Sequence, residues 1–183
     1  MREKIAVLFP GIGYHVDKPL LYYSRKLALK RGYRVIPVLY GPFPLTVKGD
    51  AEAMRACAMQ ALVQAREELS AEELREADVI FFSKSIGTVV AAAYAKEQGL
   101  DVTQVYYTPI EETFAWAKKG CGLVFHGTKD PWVSTKTVKE ACERLHLPCH
   151  VTKGANHSLE TGDALRDLEI VADVIKTVQE SIG

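Results

Sequence analysis

Short apolar runs alternate with amphipathic segments along the whole chain. Apolar runs indicate buried strands, and apolar residues three or four positions apart indicate helices that pack on one face. The predicted strands are Ile5–Phe9, Arg34–Leu39, Asp78–Phe82, Val102–Tyr107, Gly122–Phe125 and Cys149–Thr152. The predicted helices are Pro19–Arg31, Asp50–Leu69, Ile86–Gln98, a short stretch around Glu111–Lys119, a helix capped by Ser134 that ends near Leu145, and a last helix from about Gly162.

This alternation predicts an α/β protein with a doubly wound, mostly parallel six-stranded sheet and helices on both faces. The 183 residues show no repeat, linker or low-complexity stretch, so we expect a single domain over residues 1–183. In such sheets, ligands bind at the carboxyl ends of the strands. The residues directly after each strand are therefore the first candidates for function.

Composition narrows the classes of partner. Apolar residues make up 48% of the chain, charged residues 25%, and the formal net charge is zero. Because there is no basic excess to neutralise phosphates, we expect neither a nucleic-acid nor a membrane partner. The apolar run before Pro10 is too short for a signal sequence or a membrane span.

The four cysteines include no C-x-x-C pair, which is typical of reduced thiols in a cytoplasmic protein. Cys142, His146, Cys149 and His150 lie close together in sequence, but only two of them share a helical face. We therefore expect no metal site. The sequence gives no indication of oligomeric state.

A serine follows the third predicted strand in the segment Ser83–Gly87, directly before a helix. A nucleophile elbow needs small residues two positions on either side of the nucleophile, and Ser83 and Gly87 meet that need around Ser85. The usual pattern is G-x-S-x-G, so Ser83 departs from it at the first position. A plain helix N-cap would also explain Ser85.

An acid and a histidine follow two later strands. Asp130 comes after the fifth strand, and His157 lies in a glycine-containing loop after the sixth. An acid there can orient an imidazole, and a loop histidine can act as a general base. Each alone would pass as an ordinary loop residue. Because Ser85, Asp130 and His157 all lie at the same edge of the sheet, we expect them to form a catalytic triad.

The loop after the first strand is glycine-rich, as an oxyanion loop requires. Acyl transfer needs two N–H donors for the oxyanion, and we expect them to be the backbone N–H groups of Ile12 and Ile86. The alternative, a dinucleotide fingerprint at Gly11-x-Gly13, lacks its third glycine because Val16 stands there.

Aromatic and histidine side chains supply candidates for substrate binding. We expect Tyr14, His15 and Trp132 to contact substrate, and Phe43 and Trp116 to add apolar walls.

Four segments, in order along the chain, resemble the α/β-hydrolase superfamily, specifically small lidless members akin to dienelactone hydrolases. They are Pro10–Tyr14, Ser83–Gly87, His126–Val133 and Asn156-His157. The resemblance implies Ser85 as nucleophile, Asp130 as acid and His157 as base. It also implies a cofactor-free enzyme that acts on a small-molecule acyl substrate. Dienelactone hydrolases themselves carry a cysteine nucleophile, so their own substrate is not implied here.

The expected function is hydrolysis of a small carboxylic ester or thioester through an acyl-enzyme. The segment Thr108–Cys121, where many relatives insert a cap, is short, so we expect open access to the site. Three alternatives remain at this stage. They are an acyltransferase on the same triad, a non-catalytic interaction module of the same fold, and a flavodoxin-like nucleotide-binding domain.

Overall fold

One six-stranded sheet forms the centre of the protein in the computed structural model, which describes residues 2–47 and 49–182. The strands are β1 (Lys4–Phe9), β2 (Arg34–Pro37), β3 (Asp78–Lys84), β4 (Thr103–Tyr107), β5 (Leu123–Gly127) and β6 (Cys149–Thr152). Their order across the sheet is β2-β1-β3-β4-β5-β6, and every neighbouring pair is parallel. The predicted parallel six-stranded sheet is confirmed.

Seven helices in the described residues surround the sheet. They are α1 (Pro19–Lys30), α2 (Ala51–Glu68), α3 (Ala71–Glu76), α4 (Ile86–Glu97), α5 (Thr113–Trp116), α6 (Thr135–Leu145) and α7 (Ala164–Ser181). None of these helices has the length and apolarity that crossing a membrane requires.

The helices cover both faces of the sheet because successive strand residues point to opposite sides. In β1, Ile5 and Val7 pack in a core with residues of α2, α3 and α4, whereas Ala6 and Leu8 pack in a core with residues of α1 and α7. A third cluster joins α4, α5 and α6. The doubly wound architecture predicted from the sequence is therefore the observed one.

Several element boundaries differ from the sequence prediction. Strand β3 extends to Lys84, because Ser83 and Lys84 still pair with β4. Strand β2 ends at Pro37, and the helical stretch expected around residues 111–119 is only the single turn α5. Helix α3 was not predicted, although Ser70 caps it by accepting a hydrogen bond from the Glu73 N–H at 3.3 Å. The S-x-x-E spacing is the signal that could have revealed it.

Candidate active site

Ser85 occupies a tight turn between β3 and α4. Its backbone has φ 56° and ψ −123°, which is strained for a residue with a side chain. The Ser85 N–H donates to the Tyr107 carbonyl at 3.1 Å, which fixes the turn to the end of β4. The hydroxyl therefore stands at the carboxyl edge of the sheet, at the N-terminus of α4, where the helix dipole favours negative charge.

Two glycines let the end of β1 pack directly against this turn. A Cβ on Gly87 would lie 2.3 Å from the Phe9 carbonyl oxygen. A Cβ on Gly11 would lie 3.0 Å from the Ser85 Cβ. An elbow requires a small residue two positions after the nucleophile. Here the requirement arises because the backbone at the end of β1 leaves no room for a side chain at residue 87.

The structure brings Ser85, His157 and Asp130 into one hydrogen-bonded chain. His157 Nε2 lies 2.9 Å from Ser85 Oγ, and His157 Nδ1 lies 2.7 Å from Asp130 Oδ2. Because a carboxylate can only accept, Nδ1 carries the proton and donates to Asp130. In the neutral ring, Nε2 is then the acceptor for the Ser85 hydroxyl.

Asp130 is held as a carboxylate by its neighbours. Burial acts to raise its pKa, but hydrogen bonding and charge at His157, together with the Trp132 N–H, bring the pKa below its ordinary value. The Trp132 N–H donates to Asp130 Oδ1 at 3.0 Å. Both carboxylate oxygens are thus bound, which fixes the orientation of the acid.

His157 is neutral over a wide pH range. Burial lowers its pKa, the Lys84 ammonium lowers it further, and together they outweigh Asp130, so that the pKa is about 4. Trp132 stacks on the imidazole with ring centroids 5.2 Å apart and planes 23° from parallel. The Thr108 hydroxyl donates to the His157 carbonyl at 2.8 Å, which ties this loop to the end of β4.

A second imidazole lies on the other side of Asp130. His126 is fully buried, its Nε2 lies 3.1 Å from the Thr135 hydroxyl, and its Nδ1 lies 3.8 Å from Asp130 Oδ2. Burial lowers the pKa of His126. His126 is thus a packed and hydrogen-bonded neighbour of Asp130.

Two backbone N–H groups predicted as oxyanion donors have no acceptor among residues 2–47 and 49–182. One belongs to Ile86, the first residue of α4, and the other to Ile12 in the loop after β1. Gly11, by contrast, donates its N–H to the Tyr14 carbonyl at 3.1 Å. Ile12 and Ile86 are therefore the candidates for an oxyanion hole.

A cleft of about 270 Å³ opens beside Ser85 and His157. Its walls include two of the three expected substrate contacts, Tyr14 and Trp132. The Tyr14 hydroxyl accepts a hydrogen bond from the Leu20 N–H at 3.1 Å, and burial raises its pKa, so it is a neutral wall residue.

Three other side chains that the sequence suggested for this cleft lie elsewhere. His15 and Phe43 line a different cavity, behind the Ile12 loop. Trp116 lies against Lys96 on the outer side of α4, with the ammonium 5.5 Å from the ring centroid. The position of a residue in the sequence does not show on which side of a loop its side chain lies.

The sequence did not indicate three residues that shape the cleft, namely Met54, Lys84 and Thr108, and it gave no role to Asn156. The Asn156 side chain accepts hydrogen bonds from the N–H groups of Ser158 and Glu160, at 2.7 and 3.1 Å, and so folds the loop that carries His157. Lys84 was recognisable in principle, because the residue before the nucleophile in an elbow must adjoin the cleft. Met54 could not be found this way, since it reaches the cleft from a distant helix.

The chain is similar to known proteins in structure but not in sequence. The chain matches no protein-family model and no curated protein sequence. It superposes on a candidate α/β hydrolase from Agrobacterium tumefaciens with a TM-score of 0.66 and 16% identity, over 98% of this chain and 86% of that one. The chain has the α/β-hydrolase fold.

Two further solved structures share the α/β-hydrolase fold with this chain. A lidless α/β serine hydrolase from Xanthomonas campestris superposes with a TM-score of 0.61 and 14% identity, over 98% of this chain and 83% of that one. An α/β serine hydrolase homologue from Coxiella burnetii gives 0.59 and 16%, over 96% and 84%. Here, too, the connection from β4 to β5 holds only the one-turn helix α5 and no cap.

Proposed function

We propose that this α/β-hydrolase-fold protein is a serine hydrolase that cleaves a small carboxylic ester or thioester. The observation that carries the proposal is the hydrogen-bonded chain from Ser85 Oγ through His157 to Asp130. Such a chain activates a hydroxyl that is otherwise a weak nucleophile.

Each proposed step uses a group described above. Ser85 Oγ attacks the acyl carbon while His157 Nε2 takes the hydroxyl proton, and Asp130 stabilises the imidazolium. The N–H groups of Ile12 and Ile86 donate to the oxyanion of the tetrahedral intermediate. The carbon–oxygen or carbon–sulfur bond then breaks, and the leaving group takes the proton from His157.

Hydrolysis of the acyl-enzyme completes the cycle. Water attacks the acyl carbon, gives a proton to His157, and forms a second tetrahedral intermediate at the same two N–H groups. The ester bond to Ser85 breaks, and the serine oxygen recovers its proton from His157. The proposed reaction needs only protein groups, water and the substrate.

The setting we propose is a cytoplasmic enzyme with a small-molecule acyl substrate and with no nucleic-acid or membrane partner. The argument is the balanced charge of the chain and the small volume of the cleft. The solved structures named as serine hydrolases support the proposal through the fold they share with this chain.

The direct test is turnover of activated esters by the wild type and Ser85→Ala. We expect hydrolysis of p-nitrophenyl acetate by the wild type and loss of all enzymatic turnover in Ser85→Ala, because the nucleophile is gone. Ser158→Ala is the matched control, since Ser158 lines the same cleft and should be dispensable. Equal turnover by Ser85→Ala and the wild type would contradict the proposal. Adding alcohol acceptors to the assay distinguishes acyl transfer from hydrolysis by the ester product.

A further inference from the structure

A second cavity adjoins the cleft that contains Ser85. We call it the side chamber; it has a volume of about 400 Å³, and its walls include Ala51, Met54, Ile110, Glu111, Pro131 and Trp132. Three of these residues, Met54, Pro131 and Trp132, also line the cleft beside Ser85. The two cavities are therefore neighbours that meet at these three side chains.

We infer that the side chamber binds an apolar chain of the substrate, attached to the ester group that Ser85 attacks. This inference rests on the proposed function and adds to it a substrate class, namely esters that carry an uncharged aliphatic chain. This aliphatic chain of the substrate belongs either to the acyl group or to the alcohol, and the chemistry of its binding is the same in both cases.

The inner wall of the chamber is apolar and already in place. Met54 and Ile110 are each 5% exposed and pack in the same core cluster as Ile86 and Val133. Because these side chains are already ordered in the fold, they lose little further conformational entropy when a ligand binds. Methionine also adapts its shape to a flexible ligand, which suits a wall that must accept chains of different lengths.

The chamber is large enough for an aliphatic chain of several carbons. A water-sized group occupies roughly 30 Å³, so chains of about four to eight carbons fit a chamber of this volume with room to spare. Pockets of this size are typical of small-molecule sites.

The charged groups at the chamber favour an uncharged chain end. Glu111 is exposed, and Glu112 is bound by Arg55 at 3.1 Å. Both carboxylates belong to the lining, so a substrate chain ending in a carboxylate would meet like charge. We therefore expect a hemisuccinate ester to be a poorer substrate than the butyrate ester of the same alcohol.

The experiment measures kcat/KM over two series of esters. One series varies the acyl chain, as p-nitrophenyl acetate, butyrate, hexanoate and octanoate. The other keeps acetate and varies the alcohol from ethanol to octanol. In the wild type we expect kcat/KM to rise by up to about fourfold per methylene in one series, since each buried methylene contributes a factor of about this size.

Ala51→Trp fills the chamber from the exposed start of α2, without touching Ser85. We expect it to lower the ratio of kcat/KM for the six-carbon substrate to that for the acetate by at least about tenfold. Ala56→Trp is the matched control, because Ala56 is exposed on the same helix but does not line the chamber. Glu111→Trp is a second filling variant, on the loop before α5.

The two hypotheses fail in different ways. If kcat/KM of the wild type does not change with chain length in either series, the side chamber does not bind the aliphatic chain. The same conclusion follows if Ala51→Trp and Glu111→Trp keep the wild-type preference for longer chains. Wild-type protein that hydrolyses no ester at all contradicts the proposed function instead. The series in which the preference occurs identifies the chain as acyl or alcohol.

Discussion

Among single residues, the unusual feature of the site is a buried ammonium beside Ser85, the proposed nucleophile. Lys84 is 1% exposed and directly precedes Ser85. Its ammonium lies 4.9 Å from the centre of the Tyr14 ring. Burial lowers the pKa of His157 most, and the positive charge of Lys84 lowers it further, so this proposed general base stays neutral well below the pH at which an ordinary histidine would be protonated.

This arrangement predicts an acid-tolerant pH profile. A base works only when unprotonated, so kcat/KM should stay level from pH 8 to about pH 5 and fall only near the His157 pKa of about 4. Lys84→Met removes the ammonium, so the pKa of His157 should rise and the acid limb should move to higher pH by roughly one unit. The measurement is kcat/KM for an activated ester against pH.

The control for this pH profile is Lys129→Met, which removes an exposed lysine next to Asp130. The other titratable groups that act on His157, Asp130 and His126, remain in both variants. Acid limbs at the same pH in the wild type and Lys84→Met would show that Lys84 does not set the pKa of the base.

The sequence carried enough information to place Ser85, Asp130 and His157, because parallel strands bring their carboxyl ends to one edge. It did not predict which side chains surround these three residues. The contact of Met54 with the cleft and the hydrogen bond from Thr108 to the His157 loop depend on how the helices and loops pack. For the same reason, the sequence did not indicate that His15 lines the cavity behind the Ile12 loop.

At the scale of elements, the site depends on the contact between the end of β1 and the start of α4. Residue 87 packs against the carbonyl oxygens of Phe9 and Pro10, which are fixed by the central strands. Gly11 faces the Ser85 side chain and the Lys84 carbonyl at longer distances. These two glycines should therefore tolerate a methyl group to very different degrees.

Gly87→Ala and Gly11→Ala form a matched pair for this contact. The added Cβ in Gly87→Ala would lie 2.3 Å from a backbone oxygen that cannot move alone, so we expect a loss of about 3 kcal/mol or more in the free energy of unfolding. In Gly11→Ala the closest contact is 3.0 Å, and we expect a loss of about 1 kcal/mol. Denaturant unfolding measures both losses. A smaller loss in Gly87→Ala than in Gly11→Ala would contradict this account of the elbow.

At the scale of the whole molecule, the strand order determines which loops meet. With β3 and β4 at the centre, the loops after β3, β4 and β5 are neighbours, and the loop after β6 folds back over them. The sequence predicted a parallel sheet of six strands but not this order. The apolar runs of the predicted strands resemble one another, so they do not indicate which strands pair.

Covalent labelling of the intact protein with a fluorophosphonate tests directly whether Ser85 is an activated nucleophile. We expect one adduct per chain by intact mass, located on Ser85 by peptide mapping, and no adduct in Ser85→Ala. An adduct on another residue, or a wild-type protein that stays unmodified while folded, would contradict the claim that Ser85 is the activated nucleophile.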